Sequence, residues 1–235
     1  MRHFVQYVNW KAALHLNPGY IFQRRQVLAS YVVALALRFV IPGGHGVFGK
    51  VFFLKNTSIL ASVIATTAER LFITWGTWAF AAIAAFFFFP GWNLLLRILL
   101  ILIAAFLPLW AAVIMSLNNR FKQYLPAYTA QAPKMMLLQI ANTLMMYLQY
   151  YIILNHLGVI SALDTWLSMA LTNVANSIPI TISGLGLREG FAIHFLESYS
   201  FSSEQAVAAT LTLFFFHDLI PAVVGAITLF RIKRV

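Results

Sequence analysis

Residues 176–190 read Asn-Ser-Ile-Pro-Ile-Thr-Ile-Ser-Gly-Leu-Gly-Leu-Arg-Glu-Gly. A helix breaker, two close glycines and an adjacent ion pair interrupt an apolar region. In water such a run is a turn between two elements. In a bilayer it is costly, because freed backbone groups and charges have no solvent to meet. Composition decides between the two settings. The chain is 61% hydrophobic and 9% charged, with mean hydropathy +0.82, whereas a soluble domain carries about 25% charged residues. Its uncharged runs reach the roughly 20 residues that a spanning helix needs, and they do not alternate as barrel strands do. The expected class is all-α, a polytopic membrane helical bundle.

Flanking the break, 165–179 and 191–199 are each too short to span. About 15 residues rise only about 22 Å, against a hydrocarbon core of about 30 Å. Two short limbs around a break predict a re-entrant helical hairpin. The pattern recurs upstream, where 26–41 and 47–54 flank Pro42-Gly43-Gly44-His45-Gly46, with Arg38 and Lys50 on either side. Each break is followed by a Ser/Thr pair (Thr57-Ser58; Ser202-Ser203) and then a long helix with an acid inside it (Glu69; Asp218). Arg24 and Arg25 mark a cytoplasmic end for the first hairpin, while 155–164 lacks Lys and Arg and suits the outside. The expectation is two opposed re-entrant hairpins forming an inverted repeat, as in many transporters.

The remaining chain is divided as follows. Residues 1–25 read as an interfacial or cytoplasmic segment, and 26–235 as one transmembrane domain. Its halves, about 26–115 and 134–235, are joined by a cytoplasmic loop at 116–133 that is basic and free of acids. Glu69-Arg70 is expected to separate a short limb from a span over 71–89, and Pro108 to kink the span 94–115. In the span 135–154, Gln139, Asn142 and Thr143 are expected to bond to neighbouring helices. Ser202 caps the last span, 205–230, whose basic end at Arg231, Lys233 and Arg234 is placed in the cytoplasm. No cleavable signal peptide is expected. The net charge of +10 is assigned to cytoplasmic loops and anionic lipid rather than nucleic acid. The absence of cysteine removes disulfides and thiol chemistry.

A headgroup crossing the bilayer core needs polar partners at depth. Arg188 can bind phosphate bidentately, and Glu189 can meet an amine or balance Arg188. Gly184 and Gly186 allow close backbone approach, with a helix N-terminus expected near Leu187. Glu69 and Asp218 need buried cationic partners, for which Arg38, Arg70 and Arg188 are available. The substrate-binding set is therefore Arg188, Glu189, Gly184, Gly186, Arg38, Glu69 and Asp218. No catalytic residue, metal ligand or cofactor is expected, since neither His-Glu-x-x-His nor Gly-x-Ser-x-Gly occurs. A membrane transferase using Glu189 or Asp218 as base is an alternative reading, and a non-transporting partner of a lipid- or glycan-synthesis enzyme is another.

The Ser-Gly-Leu-Gly-Leu-Arg-Glu-Gly core at 183–190, following Pro179, resembles the hallmark of the lysylphosphatidylglycerol synthase transmembrane region family, also called flippase-like domain proteins. Arg38, Pro42-Gly43-Gly44, Gly46, Lys50 and Glu69-Arg70 resemble its N-terminal motif. The resemblance implies a bacterial inner-membrane protein of a family whose members flip aminoacylated phospholipids or serve polyprenyl- and hopanoid-lipid pathways. The expected partner is a membrane lipid, an anionic phospholipid or a polyprenyl lipid; the C-terminus is expected in the cytoplasm from its basic end, and a homo-oligomer is allowed. The chain departs from the family's longer members in carrying no aminoacyl-transfer or glycosyltransferase domain.

Overall fold

The computed structural model describes residues 1–55, 58–178, 181 and 184–231, of Pro42 and Gly43 the backbone only. Pro179 and Ser183 at the second break, Thr57 at the first Ser/Thr pair, and Lys233 and Arg234 lie outside the described residues. Among the described residues all regular structure is helical. Helix α1 (Arg2–Ala13) leads through a short 3-10 turn and an extended link to α2 (Arg24–Val40). The chain then breaks at Pro42 and returns as a 3-10-type segment, Pro42–Phe53. Pro42 has no N–H to offer and cannot extend α2. At Gly46 a Cβ would collide with the Leu37 carbonyl, so the returning segment lies directly on the end of α2. Both ends of this folded-back element meet, with the Lys55 N–H donating to the Gln26 side-chain carbonyl (3.2 Å).

Helix α3 (Ile59–Phe88) is capped by Ser58, whose hydroxyl accepts from the Ala61 N–H. It is one continuous 30-residue helix, about 45 Å long, and not the short limb and separate span expected around Glu69-Arg70. The charges do not break it, because Glu69 has a buried partner and no Gly-Pro or Asn-Gly turn chemistry lies nearby. The next span is broken as expected: α4 (Leu94–Ala105) and α5 (Leu107–Leu117) bend by 59° next to Pro108.

After the single turn of α6 (Asn119–Lys122), helix α7 runs from Leu125 to Leu157. The expected loop at 116–133 is thus only a short connection. Pro126 lies in the first turn, where a missing N–H costs nothing, and 125–134 contains no Gly, Asn, Asp or Ser to make a turn. Pro133 is carried inside the helix, which neighbouring helices make tolerable in membranes.

Ser161 caps α8 (Ala162–Asn173), which ends in a 3-10 turn, Val174–Ser177. After the break, α9 (Leu187–Glu197) packs back against α8. Ser202 and Gln205 form a capping box at the start of α10 (Ser203–Phe214). A π-type turn, Phe215–Leu219, joins it to α11 (Ile220–Arg231), so that 203–231 is one apolar run long enough to cross a bilayer, as are α3 and α7.

Two apolar clusters hold the bundle. In the first, Trp10, Ala12, Ala13 and Leu16 of the amino-terminal segment are fully buried against α3 and α7. The carboxy-terminal half of α1 is thus packed into the bundle, while Phe4 near its start stays 67% exposed. The second cluster joins the far end of α3 to the second folded-back element, where Phe88 meets Phe195 edge-to-face (5.3 Å). Helices α2 and α11 cross so closely that a Cβ on Gly225 would meet the Val32 carbonyl and the Ala36 N–H. Because backbone cannot yield as a side chain can, Gly225→Ala should lower stability by roughly 1–3 kcal/mol. Gly91→Ala, with open space around it, should be near neutral. Reversible unfolding in mixed micelles measures both, and equal values would contradict this close crossing.

Candidate functional site

Both folded-back elements bring their breaks to the middle of α3. Near the first break, Gly44 lies within 3.5 Å of the Arg70 guanidinium and of the Arg38 side chain, as measured from where its Cβ would be. Near the second, the Trp78 indole N–H donates to Ser177 (3.0 Å). Residues 70 and 78 are eight apart, about 12 Å along the helix. Between them opens a cavity of about 260 Å³.

Each wall follows from helical spacing. Arg70, Thr74 and Thr77 face it from α3, and Gln139, Asn142, Thr143 and Tyr150 from α7. Gly76 leaves room for Gln139, whose Cγ lies 2.6 Å from where a Cβ would stand. Gln139 in turn donates to Thr143 (3.2 Å). Asn173 and Asn176 close the second-element side, linked to each other at 3.1 Å. Arg2 reaches in from α1, Arg38 from the last turn of α2, and Arg188 from the first turn of α9.

Asp218 joins the two elements. It sits in the π-type turn, a geometry frequent at functional sites. Its two carboxylate oxygens face different arginines, Arg38 at 3.3 Å and Arg188 at 3.7 Å. Arg188 is 4% exposed; it also contacts Glu189 (3.3 Å) and lies over the Phe214 ring.

The other expected residues stand behind this wall. Glu189 accepts from the Gly186 N–H (2.6 Å) and so caps its own helix while holding Arg188. Gly186 takes φ +85°, a conformation that costs glycine nothing. Gly184 packs on the Asn176 side chain rather than lining the cavity. Glu69, 4% exposed, is paired with Lys50, 1% exposed, whose ammonium also lies 3.5 Å from the Trp10 ring centroid. Lys50 was read only as a flank of the break; its role as the partner of Glu69 spans 19 residues of chain and two elements.

Arg2, Arg70, Gln139, Asn142, Asn173 and Asn176 line the cavity without having been in the expected set. For Gln139 and Asn142 the signal was present as polar residues on one face of an apolar helix. Arg2 gave none. Among the described residues, Arg2 Nε, Arg188 Nε and Asn142 Oδ1 are buried without a hydrogen-bond partner from the protein. A separate apolar groove of about 360 Å³ lies between α1, α2 and α11, with His3 and Tyr31 in its wall.

The model of the lysylphosphatidylglycerol synthase TM region family matches residues 2–225. The chain belongs to this family. Membership ties it to membrane domains associated with lipid synthesis or translocation. No individually curated protein and no solved structure gives a significant match. The family match begins within α1, in keeping with the burial of that helix in the bundle.

Removing one member of a buried ion pair strands the other, at about 3–5 kcal/mol. Glu69→Ala should therefore cost about that much in micelle unfolding, while Glu69→Leu with Lys50→Met should recover most of it. If Glu69→Ala costs no more than Glu204→Ala at the exposed start of α10, the pair is not structural.

Proposed function

We propose that the protein binds an anionic lipid headgroup in the arginine-lined cavity and lets it cross the bilayer there, as a flippase-like translocator. The observation that carries this is Asp218, shared between Arg38 and Arg188 above a polar cavity at which both folded-back elements end. A phosphate could replace the carboxylate on either arginine, since guanidinium forks match both groups. The loosening of Asp218 would then part the two elements, and the apolar groove between α1, α2 and α11 would take the lipid tail.

The elements are read as re-entrant from opposite faces, forming an inverted repeat. In support, the mouth of the first meets the start of α3 through Asn17, which donates to the Ser58 carbonyl. The mouth of the second meets its far end at Phe88 and Phe195. Charge follows the same axis. Arg24, Arg25, Lys55, Arg120, Lys122 and Arg231 fall at the first end; Asp164, Glu197 and Glu204 fall at the other, together with one basic residue, Arg97, which bonds to the Phe86 carbonyl. By the positive-inside tendency the first end is cytoplasmic, in an inner membrane of bacterial type, and α11 ends on that side.

Purified protein in vesicles should accelerate flipping of a labelled anionic phospholipid. Arg38→Gln and Arg188→Gln should each slow this at least about tenfold, the loss of a charged hydrogen bond, measured on protein whose thermal midpoint shows it folded, with Arg188→Gln the less stable because it also strands Glu189. Flipping that persists in both variants would contradict the site. Chemical modification of a lipid without flipping would favour a membrane transferase instead. In this cysteine-free chain, Lys55→Cys and Val159→Cys, both at exposed positions, should react with impermeant reagents from opposite sides. Labelling from one side alone would overturn the opposed arrangement.

A further inference from the structure

Charge inside the bundle is unbalanced. Arg2, Arg38, Lys50, Arg70 and Arg188 lie in or beside the cavity, facing only Glu69, Glu189 and Asp218. Among the described residues, five cations against three acids leave two positive charges without a counter-charge. The acids have nothing to spare. Both oxygens of Glu189 are engaged, one by the Gly186 N–H and one by Arg188. Both oxygens of Asp218 face arginines, and Glu69 is held by Lys50. Arg2 and Arg70, by contrast, make no ion pair among the described residues, although both face the cavity.

From this we infer a substrate class for the site of the proposed translocator: a lipid ending in a terminal phosphate, a doubly charged monoester or a still more highly charged diphosphate, with no amine. The inference rests on that reading. Unpaired charge at depth is costly until it meets its opposite. A phosphate monoester carries about −1.5 to −2 near neutral pH and cancels the excess. A phosphodiester such as phosphatidylglycerol carries a single charge and leaves one cation unmatched. A lysylated phosphatidylglycerol, whose two ammonium groups outweigh its phosphate, would raise the excess further, and its amines would find no free carboxylate. The unsatisfied Arg2 Nε and Arg188 Nε are donors suited to the extra oxygens of a terminal phosphate. Of the four guanidinium groups around the cavity, the two without an ion pair among the described residues, Arg2 and Arg70, match two bidentate phosphate contacts. The chemistry selects the terminal phosphate and is indifferent to whether diacylglycerol or an isoprenoid carries it.

The test uses the full chain in phosphatidylcholine nanodiscs doped separately with phosphatidic acid, a polyprenyl phosphate, phosphatidylglycerol or lysyl-phosphatidylglycerol, and one undoped sample with soluble pyrophosphate. Retained ligand is read by native mass spectrometry and by the shift in thermal midpoint. Phosphatidic acid and the polyprenyl phosphate should bind about tenfold or more tighter than phosphatidylglycerol, the worth of one further charged contact, and the lysylated lipid weakest. Arg70→Gln should narrow the preference and Arg70→Lys retain more of it, with thermal midpoints in undoped nanodiscs confirming that both fold. Equal binding of phosphatidic acid and phosphatidylglycerol, or tightest binding of the lysylated lipid, would overturn the inference and leave translocation standing. No lipid retained in any sample would remove both. Pyrophosphate binding as tightly as the lipids would support the phosphate chemistry and overturn the lipid.

Discussion

Two arginines from separate folded-back elements approach one another in the middle of the bundle, and Asp218 is what allows it. Without a carboxylate between them, Arg38 and Arg188 would repel in surroundings that screen charge poorly. With it, the last helix is tied to both halves of the fold at the level where both break. The backbone accommodates this. A π-type turn sets Asp218 in the wall, Gly225 lets α11 lie on α2, and Glu189 fixes the first turn of α9 so that Arg188 projects inward. Lys50 and Glu69 form a parallel arrangement on the other side, closed under Trp10. Because Glu69 is consumed there, it cannot neutralise Arg70. The cationic character of the cavity is a consequence of how the structural pairs are made.

A clamp of this kind is suited to exchange. Asp218 divides its two oxygens between two guanidiniums, and a phosphate, which guanidinium forks match as well as they match a carboxylate, would compete for either in the proposed function. A bundle held only by apolar contacts would have no such site of competition. One held by a saturated pair, as at Lys50 and Glu69, would not release.

Much of the architecture was legible in the sequence because its cause is local. Pro42 and the Gly-rich runs break helices wherever they fall, Ser58 and Ser202 cap the helices that follow, and Pro108 bends its span. The misread parts depend on distant partners. Glu69-Arg70 looked like an interruption because a charge in an apolar run is costly alone; Lys50 removes the cost, and α3 runs on. The basic stretch before Lys134 looked like a loop because polarity was weighed above the lack of turn residues. The packing of Trp10, Ala12 and Ala13 rests on the surfaces of α3 and α7, which the mixed composition of α1 does not announce. At the site, Arg38, Arg188 and Asp218 could be named as charges needing partners, yet not that one acid would serve both arginines. Arg2 and the α7 amides emerged only once the helices were placed around a common space.

The central claim, that the cavity between Arg38 and Arg188 receives a lipid phosphate, is tested most directly by electron cryomicroscopy of the protein in nanodiscs containing an anionic lipid. The account predicts phosphate density inside the cavity, within hydrogen-bond reach of Arg38 and Arg188, and a lengthened contact to Asp218. Lipid density confined to the outer surface, with Asp218 still bridging both arginines over a cavity that holds only water, would contradict it.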